Sequence, residues 1–385
     1  MTKKCNVCNT RLGNPIFKSG SSQSLTTMNK FIDGELVISF CKNCQHCQTD
    51  ELNNLEEFYA QEYEINLQSE DDDQLYAVLD GVEVYRSEHQ ANVLISKIDL
   101  NGGKKVLDYG CANAATLKRV VQNNSDIDVH LFDVTDKYTN IWDNFPVPTQ
   151  WSTHQPNSEW KNKMDVVLSF YALEHIADLG YILSSVRNLL KDGGYFYFLV
   201  PNVFQNVADF IVADHVNHFS SRSLETLLST HGFYDIDIDS DIHTGAYVVS
   251  ARVSKSDQDN ATTSASVDYE AELSKICDFW KNIKKKITAF ETLEGADTGV
   301  AVYGAGIYGN FIFAGLQHKD RVKYFIDQNV SLIGTKVHGI PVVHPKYLPS
   351  DVQNVIVGLN PKIARAAISS IKSDSFQTSY FYFLD

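Results

Sequence analysis

The chain has 385 residues, of which 43% are hydrophobic and 21% charged, with 21 Phe and 19 Tyr. That is too apolar and aromatic for a disordered protein, and long enough for two or three domains. Lys and Arg number 33 against 48 Asp and Glu, a net charge of −15, which repels phosphate backbones and anionic lipid. Neither nucleic acid nor membrane is therefore an expected partner, although a local pocket can still hold an anionic substrate. No apolar run follows Lys3-Lys4, so no secretory signal is expected and the protein reads as soluble and cytoplasmic, with its oligomeric state left open.

Five of the seven cysteines lie in the first 47 residues, a pattern of close pairs that suits thiolate chemistry rather than disulfides. Cys5-Asn-Val-Cys8 and Cys41-Lys-Asn-Cys44 are two knuckles, each a short turn that lets both sulfurs face one ion. Between them, Lys30–Ser39 is expected to form a β-hairpin turning at Asp33-Gly34, which would return the second knuckle to the first. Four thiolates fill a tetrahedral Zn²⁺ shell and leave no position for water. Cys5, Cys8, Cys41 and Cys44 are thus the expected ligands of a structural zinc, with His46 and Cys47 as alternative ligands, in a zinc-binding module over residues 1–55.

Residues 56–254 begin with an acidic connector that contains Tyr63 and the run Glu70–Asp73, read as a solvated loop. From Tyr76 to Ile98, Val78, Leu79, Val82, Ala91, Leu94 and Ile95 recur at helical spacing. Lys104–Ala114 is then a short buried strand, a turn of small residues and the start of a helix. That opens a doubly wound sheet, whose ligands sit beyond the carboxyl ends of the strands. A second strand, Asp128–Asp133, ends in an acid 25 residues after Asp108, where a carboxylate suits the two hydroxyls of a ribose. Strand Met164–Ser169, helix Leu173–Leu190, Gly193-Gly194, strand Tyr195–Val200, helix Ser221–His231 and the strands Tyr234–Ser240 and Gly245–Val253 follow. Together they predict a mostly parallel sheet with an antiparallel edge.

Residues 255–298 read as a polar linker and a long helix, Tyr269–Phe290, with Leu273, Ile276, Cys277, Trp280, Ile283 and Ile287 on one stripe. The uncharged run Val300–Leu316 has almost the length of a membrane span, but it resolves as a strand, G-x-G-x-x-G (Gly304, Gly306, Gly309) and a helix. A following strand, Val322–Asp327, again ends in an acid. Such glycines permit a tight turn and the approach of a pyrophosphate to a helix N-terminus. Residues 299–385 are therefore expected to form a Rossmann-like α/β domain, used either as scaffold or to bind NAD or a nucleotide-linked sugar.

Asp108-Tyr-Gly110-Cys111-Ala112-Asn-Ala114 resembles the first loop, D-x-G-x-G-x-G, of class I S-adenosylmethionine-dependent methyltransferases, with Ala112 and Ala114 standing where that family has glycine. Asp165–His175 resembles the same family's fourth strand and following loop. The resemblance implies a seven-stranded Rossmann-like core that binds S-adenosylmethionine through Asp108, Gly110, Cys111, Ala112, Asp133 and Phe170.

The order of the three modules resembles the bacterial sugar C-methyltransferases, which act on nucleotide-linked keto-deoxysugars. Their His-Glu-His-x-x-Tyr-Phe-Ser segment is matched by Ala213-Asp214-His215-Val-Asn-His218-Phe219-Ser220, which departs at Ala213 and His218. His243-Thr-Gly245-Ala246 resembles their His-Gly-Gly-Ser turn, and Pro201-Asn202 their Pro-Tyr. This implies a nucleotide-diphosphate sugar as substrate, with Tyr63, Asn202, His243, Gly304, Gly306 and Gly309 on the substrate side.

A carbon beside a ketone becomes a nucleophile only when its proton is removed, and histidine titrates in the right range for that work. His215 is the expected base and Asp214 the group that orients or charges it, while His175, His218 or Tyr63 would donate to the enolate oxygen. A saccharide O-methyltransferase would need a similar histidine. A nucleotide or NAD sensor would keep both nucleotide-type lobes without turnover.

Overall fold

The computed structural model describes residues 3–51, 73–79, 82–254, 267–293, 299–349, 352–371 and 379–385; Tyr63 lies outside the described residues. The N-terminal module contains β1 (Phe17–Lys18), β2 (Gln23–Leu25), β3 (Phe31–Asp33), β4 (Val37–Cys41) and β5 (His46–Thr49). The hairpin expected at Asp33-Gly34 does not form. Instead β3 pairs backward with β2, through a turn in which the Thr26 N–H and hydroxyl donate to the Lys30 carbonyl at 2.9 and 3.1 Å. Gly34, at φ 135°, gives its N–H to Ser22 and finishes that ladder, so β4 pairs with β1 and β5. The second knuckle is consequently the β4–β5 turn, closed by the Gln45 N–H on the Cys41 carbonyl at 2.8 Å.

β6 (Leu75–Leu79) and β7 (Val82–Tyr85) pair antiparallel, and the helix expected from Tyr76 begins only with α1 (Arg86–Lys97). The apolar residues of 75–85 also fit an alternating pattern, and the Asp80-Gly81 sequence between them is a short-hairpin signal that outweighs helical spacing. Asp73 accepts from the Ser87 N–H, at 3.1 Å, and from its hydroxyl, which ties down the start of α1.

The central domain continues with β8 (Lys105–Tyr109), α2 (Ala115–Asn123), β9 (Asp128–Asp133), α3 (Thr139–Trp142), β10 (Thr149–Thr153), β11 (Met164–Phe170), α4 (Leu179–Leu189) and β12 (Leu190–Pro201). It closes with β13 (Asn217–His218), α5 (Ser221–Thr230), β14 (Phe233–Asp239) and β15 (Ala246–Val253). Its seven-stranded sheet has the order β10-β9-β8-β11-β12-β15-β14, parallel as far as β12 and antiparallel at β15 and β14. Both faces are covered: Leu107, Val167, Phe198 and Val249 enter one core, and Val106, Leu168, Tyr197 and Val248 the other. This is why these strands read as nearly unbroken apolar runs.

Two boundaries differ from the sequence reading. Asp178 caps α4 by accepting the Tyr181 N–H at 2.9 Å, so Leu173–His175 forms a separate 3₁₀ turn. Gly193-Gly194 lies inside β12, whose ladder starts at Met164↔Leu190 and shifts register there. β13 leaves the central sheet altogether. It pairs with β5 (Asn217↔Gln48, His218↔Cys47), which makes the N-terminal sheet β1-β4-β5-β13.

The C-terminal part contains α6 (Tyr269–Leu293), β16 (Gly299–Tyr303), α7 (Ile307–Gly315), β17 (Val322–Ile326), β18 (Lys336–Val337), β19 (Ile340–Val343), β20 (Val352–Val357), α8 (Ala364–Ser369) and β21 (Tyr380–Tyr382). Its sheet order is β18-β19-β17-β16-β20-β21, parallel except at β18. The apolar stripe of α6 is buried in a core shared with Phe40 of β4, Phe210 and Ile312 of α7, and the Trp280 Nε1–H donates to the Val207 carbonyl at 2.8 Å. Among the described residues no helix is long and apolar enough to cross a membrane.

Candidate active site

The order reversal between β8 and β11 opens a crevice at the carboxyl ends of those strands. In the loop after β8, the Gly110 and Cys111 N–H groups both donate to the Phe132 carbonyl, at 2.8 and 3.1 Å. Ala112 and Ala114 then sit at φ 46° and 53°, left-handed conformations that cost an alanine about 1 kcal/mol each. They follow the path that glycines would take, and the Ala112 N–H is held by Asp133 Oδ2 at 2.9 Å. Asp108 is only 2% exposed and its Oδ1 has no hydrogen-bond partner among the described residues. Burial, and then the charge of Asp133, push its carboxyl up to about 8. Burial also raises the Cys111 thiol, which makes that side chain a small filler rather than a nucleophile. Phe170, half-buried, ends β11 against Tyr197 at 6.1 Å.

The loop after β11 meets this loop directly, since a Cβ built on Gly110 would stand 3.3 Å from that of Ala172. Beyond Ala172 the 3₁₀ turn carries Glu174 and His175 into a buried polar cluster. His175 Nδ1 donates to the Asp214 carbonyl at 2.9 Å, and its ring meets that of His215 edge-on with centroids 4.7 Å apart. His215 Nδ1 bonds Asp209 Oδ1, while Asp209 Oδ2 takes His218 Nδ1 at 3.0 Å. The other ring nitrogen of His218 lies 2.9 Å from the Thr49 hydroxyl on β5.

Asp209, on the 3₁₀ turn Val207–Ile211, is therefore the carboxylate that orients His215, and the orienting role expected of Asp214 is corrected. The Asp214 carboxylate instead accepts from the Thr27 N–H at 2.8 Å and from the Thr27 hydroxyl. Asp214 still charges His215 and lies 3.8 Å from His175 Nδ1, but the carboxylate hydrogen-bonded to the His215 ring is Asp209. Burial opposes a charge on His215, but the Asp209 carboxylate lifts it to about 9. Burial, and then His215, bring His175 down to about 4. Burial pushes Glu174 up to about 8 against the opposing charge of His215.

The other singled-out residues fall elsewhere. His243 is buried beside Tyr76 and His89, at centroid distances of 4.9 and 5.1 Å, and its Nε2 has no partner among the described residues. The Asn202 side chain accepts the Phe204 N–H at 3.0 Å and so serves its own turn. In the C-terminal sheet, a Cβ on Gly304 would lie 2.3 Å from the Gly358 carbonyl oxygen, and one on Gly309 only 1.8 Å from that of Gly304. Close backbone crossing accounts for both, while Gly306 faces open space. Asp327 accepts the Ala305 N–H at 2.8 Å, the counterpart of the Asp133–Ala112 contact.

The four knuckle sulfurs converge. Cys5 and Cys44 are 3.5 Å apart, as are Cys8 and Cys41, close to the roughly 3.8 Å that four thiolates around Zn²⁺ require. A hydrogen bond from Cys44 holds Cys5 down to about 5, whereas burial pushes Cys41 up to about 11. His46 and Cys47 stand outside this group: His46 Nε2 contacts Asn217 Oδ1 at 3.1 Å, and Cys47 is buried in the core around Phe40. Asp209, Glu174, Thr27 and Thr49 are the site residues that sequence reasoning passes over. Only Glu174, adjacent to His175, carries a local signal.

Residues 85–238 match the family described as "Methyltransferase domain". The C-methyltransferase NovU of Streptomyces niveus is 34% identical over 90 residues, which are 22% of this chain and 21% of that protein. The match thus spans about a fifth of that relative's length. An S-adenosylmethionine-dependent methyltransferase from Mesorhizobium loti aligns at 16% identity over 43% of this chain and 97% of its own, with a TM-score of 0.35. One from Archaeoglobus fulgidus aligns at 18% identity over 43% of this chain and 94% of its own, with a TM-score of 0.36. The matched residues 85–238 include β8 to β13 and the acid-tied loop after β8, while β15 of the seven-stranded sheet lies beyond them.

Proposed function

We propose that the chain is an S-adenosylmethionine-dependent methyltransferase that methylates a carbon of a nucleotide-linked keto-deoxysugar. The observation that carries this reading is the packing of the loop after β8 against the loop after β11, which sets a nucleotide-type loop beside a buried cluster of histidines and carboxyls. Asp108, the loop Gly110–Ala112, Asp133 and Phe170 would hold the donor, which supplies an electrophilic methyl group. What this chain must add is in-line placement of the acceptor and removal of its proton. Glu174, His175 and His215 are the polar groups gathered where that work would be done, with Asp209 fixing the His215 ring. The C-methyltransferase relative and the second nucleotide-type sheet support a carbon acceptor on a nucleotide-linked sugar. The four knuckle cysteines suit a structural Zn²⁺, and β13 links their module to the cluster.

The test is incubation with S-adenosylmethionine carrying a deuterated methyl and a pool of nucleotide sugars that includes 4-keto-6-deoxy forms. Mass spectrometry and carbon NMR then locate the label. A C-bound label on a keto sugar is expected. An O-bound label would replace enolate chemistry with saccharide O-methylation. Asp133→Ala should weaken S-adenosylhomocysteine binding, and unchanged binding would count against the donor pocket.

A further inference from the structure

We infer that Glu174, His175 and His215 form a binding site for a divalent transition-metal cation, separate from the four-cysteine cluster. One donor atom from each of the three side chains lies within 4.8 Å of the other two, so a modest inward rotation brings all three to a common ion. The donor set is two imidazoles and one carboxylate, the borderline-to-hard mixture that takes Zn²⁺, Mn²⁺ or Fe²⁺ and leaves coordination positions open.

Each imidazole is anchored on its far side. His215 Nδ1 is held by the Asp209 carboxylate and His175 Nδ1 by the Asp214 carbonyl, which leaves Nε2 as the nitrogen each ring would offer an ion. Outer contacts of this kind fix tautomer and ring orientation in metal-binding histidines. Asp209 is itself braced by His218, and His218 by Thr49, so the support reaches into the N-terminal sheet.

Glu174 provides an independent observation. It is 1% exposed, and neither carboxyl oxygen has a hydrogen-bond partner among the described residues. An ionised carboxylate in that position is costly unless a cation meets it. The opposing charge that acts most on Glu174 is the His215 ring, which a bound ion would meet in its deprotonated form, while the Arg86 guanidinium lies over the Tyr171 ring at 4.0 Å and donates to Gln74 at 3.0 Å. A bound divalent ion would satisfy the orphan carboxyl of Glu174. Its open positions would accept an acceptor carbonyl or hydroxyl oxygen and polarise it, in place of direct proton abstraction by His215. That catalytic use rests on the methyltransferase reading, whereas the metal binding does not.

The test titrates the purified full chain with Mn²⁺, which the thiolate cluster disfavours, and follows bound ion by electron paramagnetic resonance and calorimetry. Metal content from elemental mass spectrometry and S-adenosylhomocysteine binding are measured on the same samples. The expected result is one Mn²⁺ per chain, weakened at least tenfold by Glu174→Gln and by His215→Gln, with metal in the cysteine cluster unchanged. Should either variant fail to fold by circular dichroism, His175→Gln supplies the same comparison. No stoichiometric Mn²⁺ site, or one that survives all three changes, overturns the inference. Loss of homocysteine-ligand binding with the Mn²⁺ site intact would instead sink the methyltransferase reading alone.

Discussion

On the proposed donor site, Asp108 should make donor binding pH-dependent. Its carboxyl is 2% exposed, lacks a partner on Oδ1 among the described residues and is pushed up to about 8. Below that pH the free protein holds the group neutral. S-adenosylhomocysteine carries an α-ammonium, which pairs with the ionised form, so binding must expel the proton. The apparent dissociation constant then scales as one plus ten to the power (8 − pH). Affinity should fall about fifty-fold between pH 8 and pH 6, or about 2 kcal/mol. Calorimetry at pH 7 in buffers of different ionisation enthalpy should register close to one proton released per ligand bound. Asp108→Asn should bind weakly with almost no pH dependence and approach the wild-type affinity near pH 6. An affinity that is flat from pH 6 to 8, with no proton release, would refute the argument.

Other expected outcomes follow from local geometry. Ala112→Gly and Ala114→Gly relieve left-handed alanines at φ 46° and 53°, so each should stabilise the fold by up to about 1 kcal/mol. A rise of a few degrees in the thermal midpoint would be seen, and a fall would show that the alanines pack favourably. Gly309→Ala places a Cβ 1.8 Å from the Gly304 carbonyl oxygen and should cost at least about 3 kcal/mol in denaturant unfolding, whereas Gly306→Ala meets open space and should cost little. Cys44→Ser should lose the cluster metal and also turnover, because the N-terminal segment supplies Thr27 to Asp214 and Thr49 to His218. Full turnover in a metal-depleted Cys44→Ser chain would separate the module from the site.

The parts of this protein legible in the sequence are those whose geometry is made within a few residues. The strand–turn–helix around Asp108 and that around Gly304 are contiguous motifs, and each knuckle is a single turn, so spacing alone locates them. The hairpin at residues 75–85 is misread because a short apolar segment fits period 2 and period 3.6 equally well, and only pairing chooses between them. The histidines of the cluster are found by resemblance, but not Asp209, the carboxylate that His215 and His218 share.

Sequence by itself determined the doubly wound central sheet, the two glycine- or alanine-lined loops and the cysteine pairs, because backbone turns and burial patterns are local properties. Tertiary structure alone decided that Asp209 rather than Asp214 orients His215, that β13 joins the N-terminal sheet, and that Thr27 and Thr49 brace residues 187 and 169 positions away. It also decided that Glu174 faces two imidazoles without a hydrogen-bonding partner of its own among the described residues. Side-chain direction in a buried polar cluster is set by which elements pack there, and those elements come from distant parts of the chain. No local pattern encodes that choice.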